Sequence, residues 1–280
     1  SQTVTGVQTC ALPICTGSAT RDFDWIRRNI PRGANAHLID VTSAYAVLSL
    51  MGPRAREILQ AATPADVSND AFPFATCREI PIGGAPVRAL RVTYVGELGW
   101  ELHMPSETAP VVYDRLFAAG AEHGLANCGY RAIESLRLEK GYRAWGSDIT
   151  ADDTPLEAGL GFAVKLTSNT PFLGQEALLA QRETGVTKRL AGFTVADPEV
   201  VLLGRETIYR DGERAGYLSS AGFGHALGCN IGYGYVRAGQ PIDRDYLAGG
   251  RYELEVAGER VPCEVHTRPL YDPKMERVKC

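Results

Sequence analysis

The side chain in this chain with the surroundings best suited to chemistry is Glu101. It falls within 90–104, LRVTYVGELGWELHM, where Leu90, Val92 and Tyr94 alternate with Arg91 and Thr93. Glycines stand at 96 and 99, and then Trp100, Leu102 and Met104 alternate with Glu101 and His103. Period-two alternation broken by glycines predicts a β-hairpin whose second strand buries Trp100 and Leu102 and turns Glu101 to the opposite face. A carboxylate held on a strand offers two oxygens side by side, a match for two parallel N–H donors in a charge-assisted pair. On residue type alone, a solvated strand glutamate is the commoner situation. Tyr94 can give a ring face or a hydroxyl to the same cleft, or sit in the core. Arg131 carries a planar guanidinium suited to a carboxylate or a ring edge, and it can equally pair with Glu134 or Glu139. Trp145 can stack on a ligand, although plugging a seam between domains is the simpler role.

These side chains need elements to hold them. The spacing predicts a helix over 131–140, with Ile133, Leu136 and the aliphatic stem of Lys140 toward a core and Arg131, Glu134 and Arg137 projecting elsewhere. Gly141 supplies the permissive residue that ends it. A connection over 142–153 carries Tyr142, Trp145 and three acids. A second helix is predicted to start there: Thr154 as N-cap, Pro155 at the first helical position, and Glu157 closing a capping box.

Three segments in order carry a family likeness. Tyr94-Val-Gly-Glu-Leu-Gly-Trp-Glu101, Arg131-Ala-Ile-Glu-Ser-Leu-Arg-Leu-Glu-Lys-Gly141 and Thr154-Pro-Leu-Glu-Ala-Gly-Leu160 resemble the glycine-cleavage T-protein (aminomethyltransferase) superfamily. Within it, 141–166 and the tail RPLYDPKMERVK resemble the C-terminal folate-binding region of dimethylglycine and sarcosine dehydrogenases, over 16–278. The resemblance implies a pterin-recognising glutamate at Glu101, whose two oxygens would meet the ring N–H and exocyclic amino group. It implies an arginine lining the folate site at Arg131, Tyr94 in the same cleft, and an aromatic at Phe162 where Trp is common. Tetrahydrofolate is then the cofactor, capturing an iminium or formaldehyde unit as 5,10-methylenetetrahydrofolate after a flavin has oxidised an N-methyl amine. The resemblance also implies that the acid near the reactive nitrogens, part of the sheet and the FAD domain lie in missing upstream sequence, the N-terminal half and flavin domain of the same protein. No catalytic residue is therefore named. Two alternatives stay open: a stand-alone folate-dependent aminomethyltransferase or demethylase fragment, and a folate-binding module without turnover.

The remaining composition bounds these readings. With 280 residues, 45% hydrophobic and 22% charged, the chain is ordinary globular material long enough for about two domains. A net charge of −4 gives no basic field for nucleic acid. The seven cysteines include no C-x-x-C pair, and free thiols in a reducing compartment are the reading, with no metal site. No apolar run approaches the ~20 residues of a membrane span, and cytoplasmic is the default location. Residues 1–15, SQTVTGVQTCALPIC, resemble a translated sequencing-adaptor remnant and are read as a non-native, disordered leader.

Along the chain, helices are predicted over 21–30, 53–61, 110–123 and 174–183, and strands over 36–41, 44–51, 77–82 and 85–95. They intermix without a regular βαβ rhythm, which predicts an α+β domain with an antiparallel sheet over 16–185. Over 186–280 short strands (188–195, 200–210, 214–219, 231–236, 252–256, 260–266) predict a small antiparallel barrel or sandwich; the resemblance implies the barrel. Gly222-Phe-Gly-His-Ala-Leu-Gly228 has dinucleotide-like glycines at the wrong spacing with no helix pattern after them.

Overall fold

The computed structural model describes residues 18–280; the expected leader, 1–15, lies outside the described residues. The chain separates into two compact units, one ending at Ala46 and one spanning Val47–Cys280. In the first, α1 (Ala19–Asn29) occupies the predicted helix. Asp22 and Asp24 in its first half are held by Ser18 and Arg27, and the backbone becomes extended at Ile30 ahead of Pro31, as proline demands of its predecessor. The strand expected over 36–41 is irregular chain.

The second unit begins within β1 (Tyr45–Met51) and continues with α2 (Ala55–Ala62), β2 (Cys77–Ile82), β3 (Ala85–Leu90), β4 (Gly99–Pro105) and α3 (Ala109–Gly120). The four strands form one sheet in the order β1-β4-β3-β2, so β4 is internal and β2 is an edge. β2, β3 and β4 pair antiparallel, with Glu101 opposite Leu90 and His103 opposite Arg88. Alternation then sorts the faces. Trp100, Leu102 and Met104 share one face with Val87, Ala89, Ile80 and Ile82, all buried, and α2 lies against β4 and α3. Removing that much apolar surface from water stabilises the sheet by about 1.5–3 kcal/mol per large side chain. Glu101 and His103 fall on the other face.

The chain goes on through α4 (Tyr130–Lys140) and α5 (Gln175–Thr184) to β5 (Lys188–Val195), β6 (Thr207–Arg210), β7 (Glu213–Gly224), β8 (Cys229–Arg237), α6 (Arg244–Ala248), β9 (Tyr252–Val256), β10 (Glu259–His266) and α7 (Glu276–Lys279). β5 to β10 close into a six-stranded antiparallel barrel in the order β10-β5-β8-β7-β6-β9, filled by Phe193, Ile208, Leu218, Val236 and Leu254. The outer wall of β7 and β8 receives α4, where Leu138 joins Leu190, Ile231, Tyr233 and Tyr235.

Four local expectations are corrected. The first hairpin strand stops at Leu90, and 91–98 is an irregular connection, so Tyr94 sits on a loop. The capping box at Thr154 forms, with the Glu157 N–H donating to Thr154 Oγ1 at 3.2 Å and the Thr154 N–H donating to Glu157 Oε2 at 2.8 Å. No helix follows it, because Gly159 turns left-handed at φ +69° after a single turn. Only the last four residues of the strand expected over 200–210 pair, as β6, since Gly204 and Arg205 adopt φ of +85° and +90°, outside the extended region. Finally, α4 buries only part of the stripe expected of it: Lys140 is buried, Ile133 and Leu136 are half-buried, and Arg137, Leu138 and Glu139 are buried as well.

Candidate functional site

Glu101 is positioned by an internal strand whose other face is packed core, so its backbone has no room to shift. Its side chain is 22% exposed, and Oε2 lies 3.7 Å from Nε2 of His103, a side chain only 2% exposed. That distance is an ion-pair contact and too long for a hydrogen bond, and Nε2 of His103 has no hydrogen-bond partner among the described residues. The carboxylate therefore keeps its acceptor positions. Its neighbours across β3, Leu90 and Arg88, form no ion pair with it among the described residues.

Tyr94, on the connection into β4, stacks on Tyr142 with ring centroids 5.9 Å apart and planes 10° from parallel. Its hydroxyl donates to the Arg143 carbonyl at 3.0 Å. Burial pushes the phenol up to about 12, because an anion there would lose its water, so Tyr94 is a neutral donor at physiological pH.

Arg131 is exposed at the head of α4, and the two partners open to it are otherwise engaged. Glu134 pairs with Arg137 at 2.7 Å, and Glu139 accepts from the backbone N–H groups of Ala226 and Leu227 at 2.6 and 3.1 Å. Arg137, expected to project away from the core, is the centre of a buried polar hub. It donates to Glu134, to the Tyr142 carbonyl at 3.2 Å, to Ser220 at 3.3 Å and to Asp148. Asp148 in turn accepts from the Ala144 N–H at 3.0 Å and from Ser219 and Ser220. Burial works against the Arg137 charge, but Asp148 and Glu134 outweigh it and hold its pKa above the ordinary value. The hub ties α4, the 142–153 connection and β7 into one block carrying Tyr142, on which Tyr94 rests.

Phe162 is 86% exposed, on the short 3-10 turn Gly161–Ala163. Beside it lies a hollow of about 700 Å³ lined by Pro155, Ala163, Lys165, Phe172, Leu173 and Leu178 among others. A second, of about 480 Å³, shares Lys165 and includes Arg182. Glu101, Tyr94 and Arg131 line neither. The structure thus brings Tyr94 together with Tyr142 and Arg143, and Glu101 with His103; among the described residues it records no direct bond joining Glu101 to Tyr94, Arg131 or Phe162. Trp145 is 46% exposed and forms an isolated bridge with Ile149. Gly222 to Gly228 run out of β7 into the turn before β8, a hairpin with no helix N-terminus to cradle a diphosphate.

Chemically, the arrangement recognises and positions. Glu101 accepts, Tyr94 donates or stacks, and no described side chain beside Glu101 is paired as acid to base for proton transfer. Sequence reading passed over His103 and the Arg137–Asp148 pair. The first was within reach, because residues two apart on a strand share a face; the second needed the fold, since 11 positions and a tight turn separate its members.

Comparison with known proteins follows the same lines. Two family models match: "GCVT N-terminal domain" over residues 5–168 and "Glycine cleavage T-protein C-terminal barrel domain" over residues 188–272. Mitochondrial sarcosine dehydrogenase of Mus musculus is 44% identical over 95% of this chain, and mitochondrial dimethylglycine dehydrogenase of Mus musculus 36% identical over 91%. The chain spans 29% of the length of each. The solved aminomethyltransferase T of the Bartonella henselae glycine cleavage system is similar with a TM-score of 0.77 and 25% identity, over 92% of this chain and 67% of that one.

Proposed function

The chain belongs to the glycine-cleavage T-protein family, as an aminomethyltransferase-type domain related to sarcosine and dimethylglycine dehydrogenases, and from that premise we propose that it binds tetrahydrofolate through Glu101. In this reading it is the one-carbon-transferring region of a flavin-dependent N-methylamine dehydrogenase. The observation that carries the proposal is a part-buried carboxylate on an internal strand, touched by one imidazole at 3.7 Å. Among the described residues its two oxygens accept no hydrogen bond, which leaves them for the paired N–H donors of a pterin edge.

When bound, tetrahydrofolate supplies the amine nitrogens that take up the one-carbon unit as 5,10-methylenetetrahydrofolate. The protein's part is to hold and orient. Glu101 would hold the ring edge, Tyr94, stacked on Tyr142, would offer a ring face or a hydroxyl, and Arg131 would meet a carboxylate or a ring edge of the ligand. Phe162, beside the larger hollow, offers a ring face. Positioning of this kind lowers the barrier by sparing the reactants a search for alignment and by excluding water. FAD, the amine and the acid near the reactive nitrogens belong to upstream sequence. In this reading the folate-binding region ends at 185 and the barrel begins at 186, and the cytoplasm is the location proposed.

A calorimetric titration of the 280-residue chain with tetrahydrofolate tests this: saturable binding is expected, abolished in Glu101→Ala. Absence of binding in the unaltered chain, or equal binding in the variant, sinks it. In the longer protein, withholding folate should leave amine oxidation running while formaldehyde is released. A stand-alone aminomethyltransferase is the second reading, favoured by the chain spanning 67% of the Bartonella protein; the upstream reading frame of a complete clone separates the two.

A further inference from the structure

We infer that His103 is a positioning residue for Glu101: its buried Nε2 sets the orientation of the carboxylate that receives the ligand. The inference rests on the folate reading above and deepens it.

Three observations converge on His103. First, β4 alternation puts it on the same sheet face as Glu101, and the two side chains meet with Nε2 at 3.7 Å from Oε2. Secondly, the imidazole is almost wholly enclosed, yet Nε2 has no hydrogen-bond partner among the described residues. A buried polar nitrogen left in that state is a net cost to folding, which a leucine of similar bulk would avoid. Thirdly, the groups around it do not answer that need: its cross-strand neighbour is Arg88, a cation that can only donate. Among the described residues, the acceptor recorded near Nε2 is the Glu101 carboxylate.

At 3.7 Å the imidazole draws Oε2 electrostatically without occupying its lone pairs, so the oxygen stays open to a ligand while its direction is set. A carboxylate without such a contact spins about its terminal torsion, which has broad wells, and must be stilled when it pairs with two parallel donors. An imidazole on the same face, held rigid by burial, stills it in advance, and preorganisation of this kind appears as affinity. The role requires the proton to be on Nε2, as in that neutral tautomer or the cation.

The test is a set of tetrahydrofolate titrations on the unaltered chain and on Glu101→Gln, His103→Leu, His103→Gln, His103→Asn and the double variant Glu101→Gln/His103→Leu, with a thermal melt of each. His103→Leu should bind about tenfold more weakly, the scale of one charge-assisted contact, while melting no lower than the parent. Glutamine carries its amide nitrogen to the reach of Nε2 and should keep binding within about threefold; asparagine, whose nitrogen stops short, should not. In the double variant the two losses should fail to multiply, because His103 acts through Glu101. His103→Leu binding like the parent, losses that multiply, or glutamine and asparagine alike each overturn the inference, and the last comparison serves if the leucine variant does not fold. No binding by the unaltered chain instead overturns the folate reading; a weakened Glu101→Gln beside an unaffected His103→Leu overturns the role of His103 alone.

Discussion

Arg137 and Asp148 form an ion pair in which each side chain is only 1% exposed. Breaking such a pair strands a charge in a medium that cannot solvate it, which costs about 3–5 kcal/mol. Asp148→Ala should therefore lower the free energy of unfolding by that order in urea titrations, and a loss under ~1 kcal/mol would show that water enters the hub. Replacing both partners at once by apolar residues should recover much of the loss, because the desolvation of two ions disappears with them.

Acid should weaken the fold through two other aspartates. Burial raises the Asp272 carboxyl, but Lys140 and the N–H of Glu276 outweigh it and set the pKa below its ordinary 3.8. Asp153 is likewise raised by burial and, more strongly, lowered by Lys188 and Thr150. A depressed folded value means stability that is complete above the unfolded value, about 3.9, and that is lost as pH falls through the folded one. Urea midpoints should thus decline below about pH 4. Asp272→Asn should flatten part of that decline; an unchanged acid limb in the variant counts against the assignment.

At the alkaline end the sign is reversed. Burial pushes the phenols of Tyr94 and Tyr233 up to about 12, above the ~10 of an unfolded chain. Their contribution is fully present below the unfolded value and fades as pH rises through the folded one. Ultraviolet titration of phenolate should show a late-ionising fraction, and Tyr94→Phe should reduce it. If all tyrosines ionise together near 10 in the folded protein, the burial of these two rings is wrong.

Gly141 ends α4 with φ +70°, and a Cβ added there would lie 2.8 Å from Oη of Tyr233. Gly141→Ala meets both a left-handed backbone and a packed phenol, and should cost about 1–3 kcal/mol in thermal or urea unfolding. Because Tyr142 follows directly, the variant should also weaken tetrahydrofolate binding.

The architecture was legible wherever one local signal decided an element. Gly141 stops α4 where left-handed backbone was expected, and the periodic strands after Gly185 close into the barrel. Reading failed where two signals competed: Thr154 and Glu157 announce a helix that Gly159 cuts off, and the alternation of 90–94 continues past the point at which β3 loses its partner. Of the site, Glu101 was visible as a strand carboxylate. His103 was passed over as ordinary alternation, and Arg137 was read as outward-facing because a helical stripe is judged by hydrophobicity, whereas here a cation is buried by its fixed partners.

The rim strand β2 holds Pro81 directly across from Pro86 of β3, with Arg78 and Glu79 preceding it. A proline there removes an amide from a row that a stray peptide would otherwise zip onto, and flanking charges resist stacking. The barrel, sewn shut, offers no such row at all. The fold is thereby guarded against self-templated fibre growth at the margin where a twisted open sheet is most vulnerable, and swapping Pro81 for valine would take that guard away.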